Sequence, residues 1–230
     1  MSGSVVSPAL RERVRGIATP VAVGVGRLGL TPNHLTLIGF GIAIAGAVVV
    51  AQGGWLAGAV LLIVGGVFDL FDGALARATG QASRLGAFMD SVFDRAGEGV
   101  VYVGIATACA AADFDAGAVL AGSAMAAAFM VSYVRAKSES LGYTPGSRMA
   151  TIGLAPREVR IVILTLTLAL AGAAGGVAIV DDGTLVLTDA WSAGRPVLAS
   201  GLGLITVLAT ITTIQRIVHV VRQSSSKEHQ

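Results

Sequence analysis

Six apolar stretches divide this 230-residue chain, over residues 33–52, 55–79, 84–111, 116–138, 157–180 and 196–221. A run of about 20 apolar residues is what an α-helix needs to cross the hydrocarbon core of a bilayer. The fold class expected is therefore an all-α integral membrane protein with six transmembrane helices. Composition agrees, with 13% charged and 54% hydrophobic residues, whereas globular domains carry roughly a quarter charged residues. The stretches begin and end at structure-breaking residues. Thr31 can cap a helix whose first position is Pro32, and Gln52-Gly53-Gly54 closes the first span. Trp55 and Trp191 suit the interfacial aromatic belt. Gly39, Gly41, Ala45, Gly58, Gly65, Gly66, Ala124, Ala126 and Ala127 are small enough to let helices approach closely. The single cysteine, Cys109, excludes an intramolecular disulfide and reads as packing.

Residues 1–30 precede the first span as a juxtamembrane amphipathic segment. Arg11, Arg13, Arg15 and Arg27 are interspersed there with Leu10, Val14, Ile17, Val21, Val23 and Val25, and Pro20 interrupts the pattern. This predicts an interfacial helix with arginines toward anionic head groups, the alternative being a basic leader without fixed structure. A cleavable signal peptide is not expected, because no charged start is followed by an apolar block. Residues 31–222 read as one six-helix membrane domain, and 223–230 as a polar cytoplasmic tail. With a cytoplasmic N-terminus, fifteen of the sixteen basic residues fall at or near the cytoplasmic face, and only Arg195 lies outside. Asp113, Asp115, Asp181, Asp182 and Asp189 gather on the other side. The positive-inside rule thus predicts a multi-pass protein of the cell membrane with both termini cytoplasmic. No nucleic-acid partner is expected.

Four carboxylates stand inside the second and third apolar stretches: Asp69 and Asp72, then Asp90 and Asp94. Residues three or four apart share a helical face, so two helices meeting across the turn between Arg77 and Gly86 would pool all four. Carboxylates buried together need protons, cationic side chains or metal as partners, and a divalent ion satisfies several oxygens at once. Asp69, Asp72, Asp90 and Asp94 suit one or two Mg²⁺ or Mn²⁺ ions, hard cations that leave positions for a phosphate substrate. Arg77 stands at the mouth of this site, where a guanidinium can hold phosphate. Gly73, directly after Asp72, would permit close approach to the backbone. A carboxylate not fully committed to metal could accept a proton from an incoming hydroxyl, and Asp94 is the candidate. Glu98, four residues on, would pair with a buried arginine or help orient the site. Ser132, Arg135, Arg157, Arg160 and Arg216 form a second polar set at the ends of the last three spans. They either snorkel to the interface or converge on an anion.

The pattern Asp69-x-x-Asp72-Gly73-x-x-Ala76-Arg77, eight residues, Gly86-x-x-x-Asp90-x-x-x-Asp94 resembles the complete signature of the CDP-alcohol phosphatidyltransferase family. Thr31-Pro32-Asn33-His34-Leu35-Thr36 is similar to its Pro-Asn-x-x-Thr element. The resemblance implies a two-metal centre on Asp69, Asp72, Asp90 and Asp94, with Asp94 also the proton acceptor. It implies that Pro32, Asn33, His34, Leu35, Gly73, Arg77 and Ser83 contact the CDP part of the donor, and that an acceptor hydroxyl displaces CMP.

Ser132 to Lys137, the Arg157 and Arg160 pair, and Gln215-Arg216 resemble the branch that makes phosphatidylinositol phosphate, or its archaeal ether-lipid counterpart, from inositol 1-phosphate. Pro156-Arg157-Glu158-Val159-Arg160 keeps the two arginines of that branch's Glu-Arg-x-Glu-Arg form but neither of its acids. By this resemblance Ser132, Arg135, Arg157 and Arg216 bind the acceptor phosphate. CDP-diacylglycerol is then the donor, membrane lipid the surroundings and a homodimer the assembly. Glycerol 3-phosphate is the alternative acceptor. A divalent-cation transporter is the alternative from another class, although the third span carries no charge from Gly99 to Ala108 to continue a polar pathway.

Overall fold

The structure, a computed structural model, describes residues 19–143, 149, 152–174, 178–181, 184–187 and 191–228. Arg11, Arg13, Arg15, Arg148, Asp182 and Asp189 therefore lie outside the described residues. Seven helices and one hairpin follow in order: α1 over residues 19–27, α2 (Pro32–Ala51), α3 (Trp55–Thr79), α4 (Arg84–Ala111), α5 (Asp115–Ser140), α6 (Arg157–Ala173), β1 (Ala178–Asp181), β2 (Thr184–Leu187) and α7 (Trp191–Glu228).

Local chemistry sets the boundaries. Thr31 Oγ1 accepts from the His34 amide at 3.3 Å, and His34 Nδ1 accepts from the Thr31 amide at 3.3 Å, so the start of α2 is capped reciprocally. Gly80 ends α3 in the left-handed conformation that glycine adopts without a steric penalty. Ser83 Oγ accepts from the Gly86 amide at 3.0 Å and caps α4.

Two helix ends differ from expectation. The fifth apolar stretch does not stay helical to residue 180: α6 stops at Ala173, and β1 pairs antiparallel with β2, Ile179 opposite Val186 and Asp181 opposite Thr184. Ile179, Val180 and Val186 are β-branched, and the sequence between Asp181 and Thr184 is Asp-Gly, the strongest short hairpin signal. The expected all-α architecture is found, with this one two-stranded hairpin added to its helices. The last helix also runs past the sixth stretch, because α7 continues to Glu228. Gln223 to Glu228 contains no glycine or proline to stop it.

Helices α2, α3, α5 and, within α7, Ala193–Ser225 are long and apolar enough to cross a membrane. Helix α4 has the length but carries Arg84, Asp90, Asp94, Arg95 and Glu98. Helix α6, with 17 residues, is about 25 Å long. Neighbouring contacts close the six long helices into a ring, α2-α3-α6-α7-α5-α4 and back to α2. The chain thus skips from α5 to α6 across the ring.

The larger buried cluster gathers Trp55, Tyr102, Ile105, Leu164, Leu168, Leu198, Leu202 and Ile205 together with Cys109. A second cluster joins Ala22 of α1 to Leu35, Ala74 and Leu75. Burial of large side chains of this kind contributes ~1.5–3 kcal/mol each in water-exposed segments, but helices in lipid rely more on close contact. Gly39 illustrates this: a Cβ there would stand 3.4 Å from Asp69 Oδ1 and 3.5 Å from the Gly65 carbonyl. With no side chain there, α2 lies close to α3 beside the acids, at distances where a methyl would just make ordinary contact.

Candidate active site

The ring brings the four predicted carboxylates together from α3 and α4. Asp69 lies within electrostatic range of Asp72, Asp90 and Asp94. Each acid is nevertheless held differently. Asp72 is buried, and its Oδ2 accepts a 2.6 Å hydrogen bond from Thr36 Oγ1 on α2. Asp69 Oδ2 and Asp94 Oδ1 both meet Nη2 of Arg157, at 3.0 and 2.9 Å. Asp94 Oδ2 also lies 3.8 Å from Arg95 Nη1, whose shorter contacts go to the Ser91 carbonyl and hydroxyl.

These acids do not form a closed metal cage. Among the described residues no three His, Cys, Asp or Glu side chains are grouped closely enough to hold an ion. The donor set still fits a divalent cation. Its four carboxylates supply hard oxygens from two facing helices, and two of them, Asp69 and Asp94, already share one cation, the Arg157 guanidinium. Asp69, Asp72, Asp90 and Asp94 are the residues that would hold the ion.

Arg157 reaches this position because α6 begins at it, directly after Pro156, and because the loop before it is fastened. Thr212 Oγ1 on α7 accepts from the amides of Leu154 and Ala155 at 3.0 and 2.9 Å. Arg216 Nε and Nη1 donate to the carbonyls of Ile152 and Val131 at 3.0 and 2.7 Å. One helical turn after Arg157, Arg160 donates Nε and Nη2 to the two oxygens of Glu98 at 2.9 and 2.7 Å, and Nη1 to the Ala155 carbonyl at 3.1 Å. Glu98 does pair with a buried arginine. Arg160, in contrast, faces the protein interior and is no part of an anion pocket; its guanidinium is fully engaged there.

A cavity of about 60 Å³ lies beneath the acids between α2, α3, α4 and α6. Asp69, Asp94, Glu98, Arg157 and Thr36 line it together with Phe40, Leu61, Leu62, Phe93, Val101 and Leu164. The rings of Phe40 and Phe93 pack at 4.9 Å beside Asp94.

The residues expected to contact CDP cluster around the start of α4 and the end of α3. A Cβ at Gly86 would stand 3.1 Å from Ser83 Oγ and 3.3 Å from Asn33 Oδ1, so Asn33, Ser83 and Gly86 meet at one point. A Cβ at Gly73 would stand 3.2 Å from Arg77 Nη1, which places the Arg77 guanidinium over that backbone. Pro32 starts α2, His34 is occupied in its cap, and Leu35 is fully buried, so Leu35 packs behind this surface. Of the acceptor set, Arg135 lies within electrostatic range of Arg95 and Arg216, and Arg157 within range of Arg95. Arg135 pairs with Glu139 at 2.9 Å, and Ser132 sits one turn before it on α5. Thr36 and Thr212 are supporting residues that site reasoning from sequence missed. Thr36 had a signal, since it closes the Pro-Asn-x-x-Thr element; Thr212 had none.

Comparison with known proteins settles the class of this site. The model of the CDP-alcohol phosphatidyltransferase family matches residues 29–221. The chain belongs to the CDP-alcohol phosphatidyltransferase family. It is 32% identical over 210 residues to the archaetidylinositol phosphate synthase of Methanothermobacter thermautotrophicus, covering 91% of each protein. It is 33% identical over 214 residues to the phosphatidylinositol phosphate synthase of Streptomyces avermitilis, covering 92% of this chain and 81% of that one. Among solved structures it is similar to the Mycobacterium tuberculosis phosphatidylinositol phosphate synthase with CDP-DAG bound, with a TM-score of 0.73 at 27% identity over 89% of this chain and 93% of that one. The same enzyme with manganese and citrate aligns with a TM-score of 0.70 at 28% identity, over 88% of each chain. Membership makes this chain a transferase of the CDP-alcohol phosphatidyltransferase class, and the transporter alternative is set aside.

Proposed function

We propose that this phosphatidyltransferase transfers the phosphatidyl group of CDP-diacylglycerol to a hydroxyl of inositol 1-phosphate, giving phosphatidylinositol phosphate and CMP. The observation that carries the reading is Arg157: a partly exposed guanidinium stands against Asp69 and Asp94, with Arg95 and Arg135 nearby. Acidic chemistry and anion recognition thus share one place, as a phosphorylated acceptor requires. The inositol phosphate named in the relatives supports that choice of acceptor. Their two lipid classes, archaetidyl and phosphatidyl, leave the donor chains as the variable part.

In this reading one or two divalent ions on Asp69, Asp72, Asp90 and Asp94 supply neutralisation of phosphate charge and polarise the phosphorus. The chain's own residues do the rest. Asn33, Gly73, Arg77, Ser83 and Gly86 cradle the cytidine diphosphate, with Gly73 and Gly86 leaving room for its close approach. Ser132, Arg135 and Arg157 hold the acceptor phosphate, and Arg216 fixes the α5 and α7 ends behind them. The acceptor oxygen bonds to the lipid-linked phosphorus, the bond from that phosphorus to the bridging oxygen breaks, and CMP leaves with the electron pair. The hydroxyl proton passes to Asp94.

We further read α4 and α6 as the two remaining spans, giving six, with α1 on the interface and the site facing the cytoplasm. The distribution of basic residues supports this placement. Gly41 has nothing within 4 Å of where a Cβ would stand, leaving small-residue surface open to a second copy.

The test is CMP release from purified protein with CDP-diacylglycerol and Mg²⁺, offered inositol 1-phosphate, glycerol 3-phosphate, free inositol or serine. Release confined to inositol 1-phosphate and abolished by chelator is the expected result. Preference for glycerol 3-phosphate would keep the chemistry and overturn the acceptor.

A further inference from the structure

Arg157 and Arg160 leave α6 one turn apart, yet their guanidinium groups are held in opposite ways. Arg160 uses Nε, Nη1 and Nη2 on oxygen acceptors and is 1% exposed. Arg157 places one nitrogen, Nη2, on both Asp69 and Asp94, while its Nε is buried with no hydrogen-bond partner among the described residues. Its side chain remains 30% exposed. A guanidinium carries a fork of donors suited to two parallel bonds, so sharing a single terminal nitrogen leaves Arg157 under-satisfied where it sits.

Asp69 and Asp94 are also two of the four carboxylates assigned to the divalent ion. A guanidinium and a divalent cation seeking the same oxygens repel one another and compete for the same lone pairs. We infer that Arg157 is a competing counter-cation of the metal site: it and the divalent ion exclude each other from Asp69 and Asp94, and the displaced guanidinium turns to the acceptor's anionic group. One side chain then couples the two ligands. Ion binding frees Arg157 for the anion, and an anion that holds Arg157 favours the ion, by the same factor in both directions. Displacement also clears the Asp94 oxygen that is to receive the proton. The Glu98–Arg160 pair makes this a side-chain movement only, because it fixes the first turn of α6 to α4 and to the Ala155 carbonyl.

The inference rests on the assignment of Asp69 and Asp94 to the metal, and the experiment separates the two. Mn²⁺ binding to the purified full chain in detergent is measured by the paramagnetic resonance of free Mn²⁺, for wild type, Arg157→Gln, Arg157→Lys and Asp69→Asn. Competition requires that Arg157→Gln binds Mn²⁺ about tenfold more tightly than wild type, with Arg157→Lys between them. Inositol 1-phosphate, after correction for its own Mn²⁺ binding, should tighten the ion's hold on wild type and lose that effect in Arg157→Gln. Unchanged or weaker Mn²⁺ binding in Arg157→Gln overturns the competition, and an undiminished anion effect in that variant, or none in wild type, overturns the coupling. Asp69→Asn binding Mn²⁺ like wild type would instead overturn the metal assignment itself. If Arg157→Gln has no folded state in chelator, Arg157→Lys carries the test: it must bind Mn²⁺ more tightly than wild type, and equal or weaker binding overturns the proposal.

Discussion

Helices α4 and α6 are joined by two ion pairs on successive turns, and the two behave as different materials. The inner one, Glu98 with Arg160, is sealed, at 0% and 1% side-chain exposure. Every guanidinium nitrogen there has an acceptor, so the pair satisfies the demand that buried charges be neutralised and hydrogen-bonded. The outer one, Arg157 with Asp94 and Asp69, is open to water on one side and incompletely bonded. The contrast separates architecture from chemistry. Arginines three residues apart in the sequence divide into one that fastens a helix and one that is free to exchange partners.

The largest effect should come from breaking the sealed pair. Glu98→Ala or Arg160→Ala leaves a buried charge without its partner, at a cost of about 3–5 kcal/mol. Thermal unfolding in detergent should show both variants far below wild type, with Glu98→Gln/Arg160→Met recovering most of the loss. Next comes the outer pair read as chemistry. Asp94→Asn should lower CMP release by about 10²–10⁴-fold, the range of a lost general base, while CDP-diacylglycerol still binds. Full turnover in that variant would remove Asp94 as proton acceptor.

Arg157→Ala sharpens the contrast with its neighbour. It removes the one cation held between two part-buried carboxylates, so Tm should fall, though less than on breaking the sealed pair, and KM for the phosphorylated acceptor should rise more than KM for the donor. Equal rises would place Arg157 elsewhere. A smaller change is expected from Thr36→Val, which removes the 2.6 Å bond to Asp72. A hydrogen bond to a charged group contributes about 1.5–3 kcal/mol, so Mn²⁺ affinity or Tm should fall measurably. Gly86→Ala should have the least effect: its methyl would press on Ser83 Oγ and Asn33 Oδ1, side chains that can shift by tenths of an ångström, and the donor KM should rise only a few-fold.

Much of this was legible in the chain because the membrane makes charge placement informative. Apolar length alone located the helices of the ring to within a few residues for α2, α3, α4 and α5. The spacing of Asp69, Asp72, Asp90 and Asp94 put the acids on two faces that do meet. The exceptions have local causes. Residues 178–187 read as apolar enough to prolong a span, but β-branching and an Asp-Gly pair favour a hairpin. The polar stretch after 222 read as a tail, although a helix already running needs a breaker to stop it.

The sequence by itself determined a helical membrane protein, the capped start of α2, the pooled carboxylates and the cationic ends of the later helices, since each follows from periodicity, capping or the cost of charge in lipid. It left Glu98 either to pair with a buried arginine or to help orient the site. Only the tertiary structure decided which arginine that is, because Arg157 and Arg160 share a helical face and differ only in depth. Depth is set by the order of helices around the ring, with α6 placed between α3 and α7 rather than beside α5. That order, together with the Thr212 and Arg216 bonds that hold the loop before α6, turns one guanidinium into a sealed fastening and leaves the other at the acids.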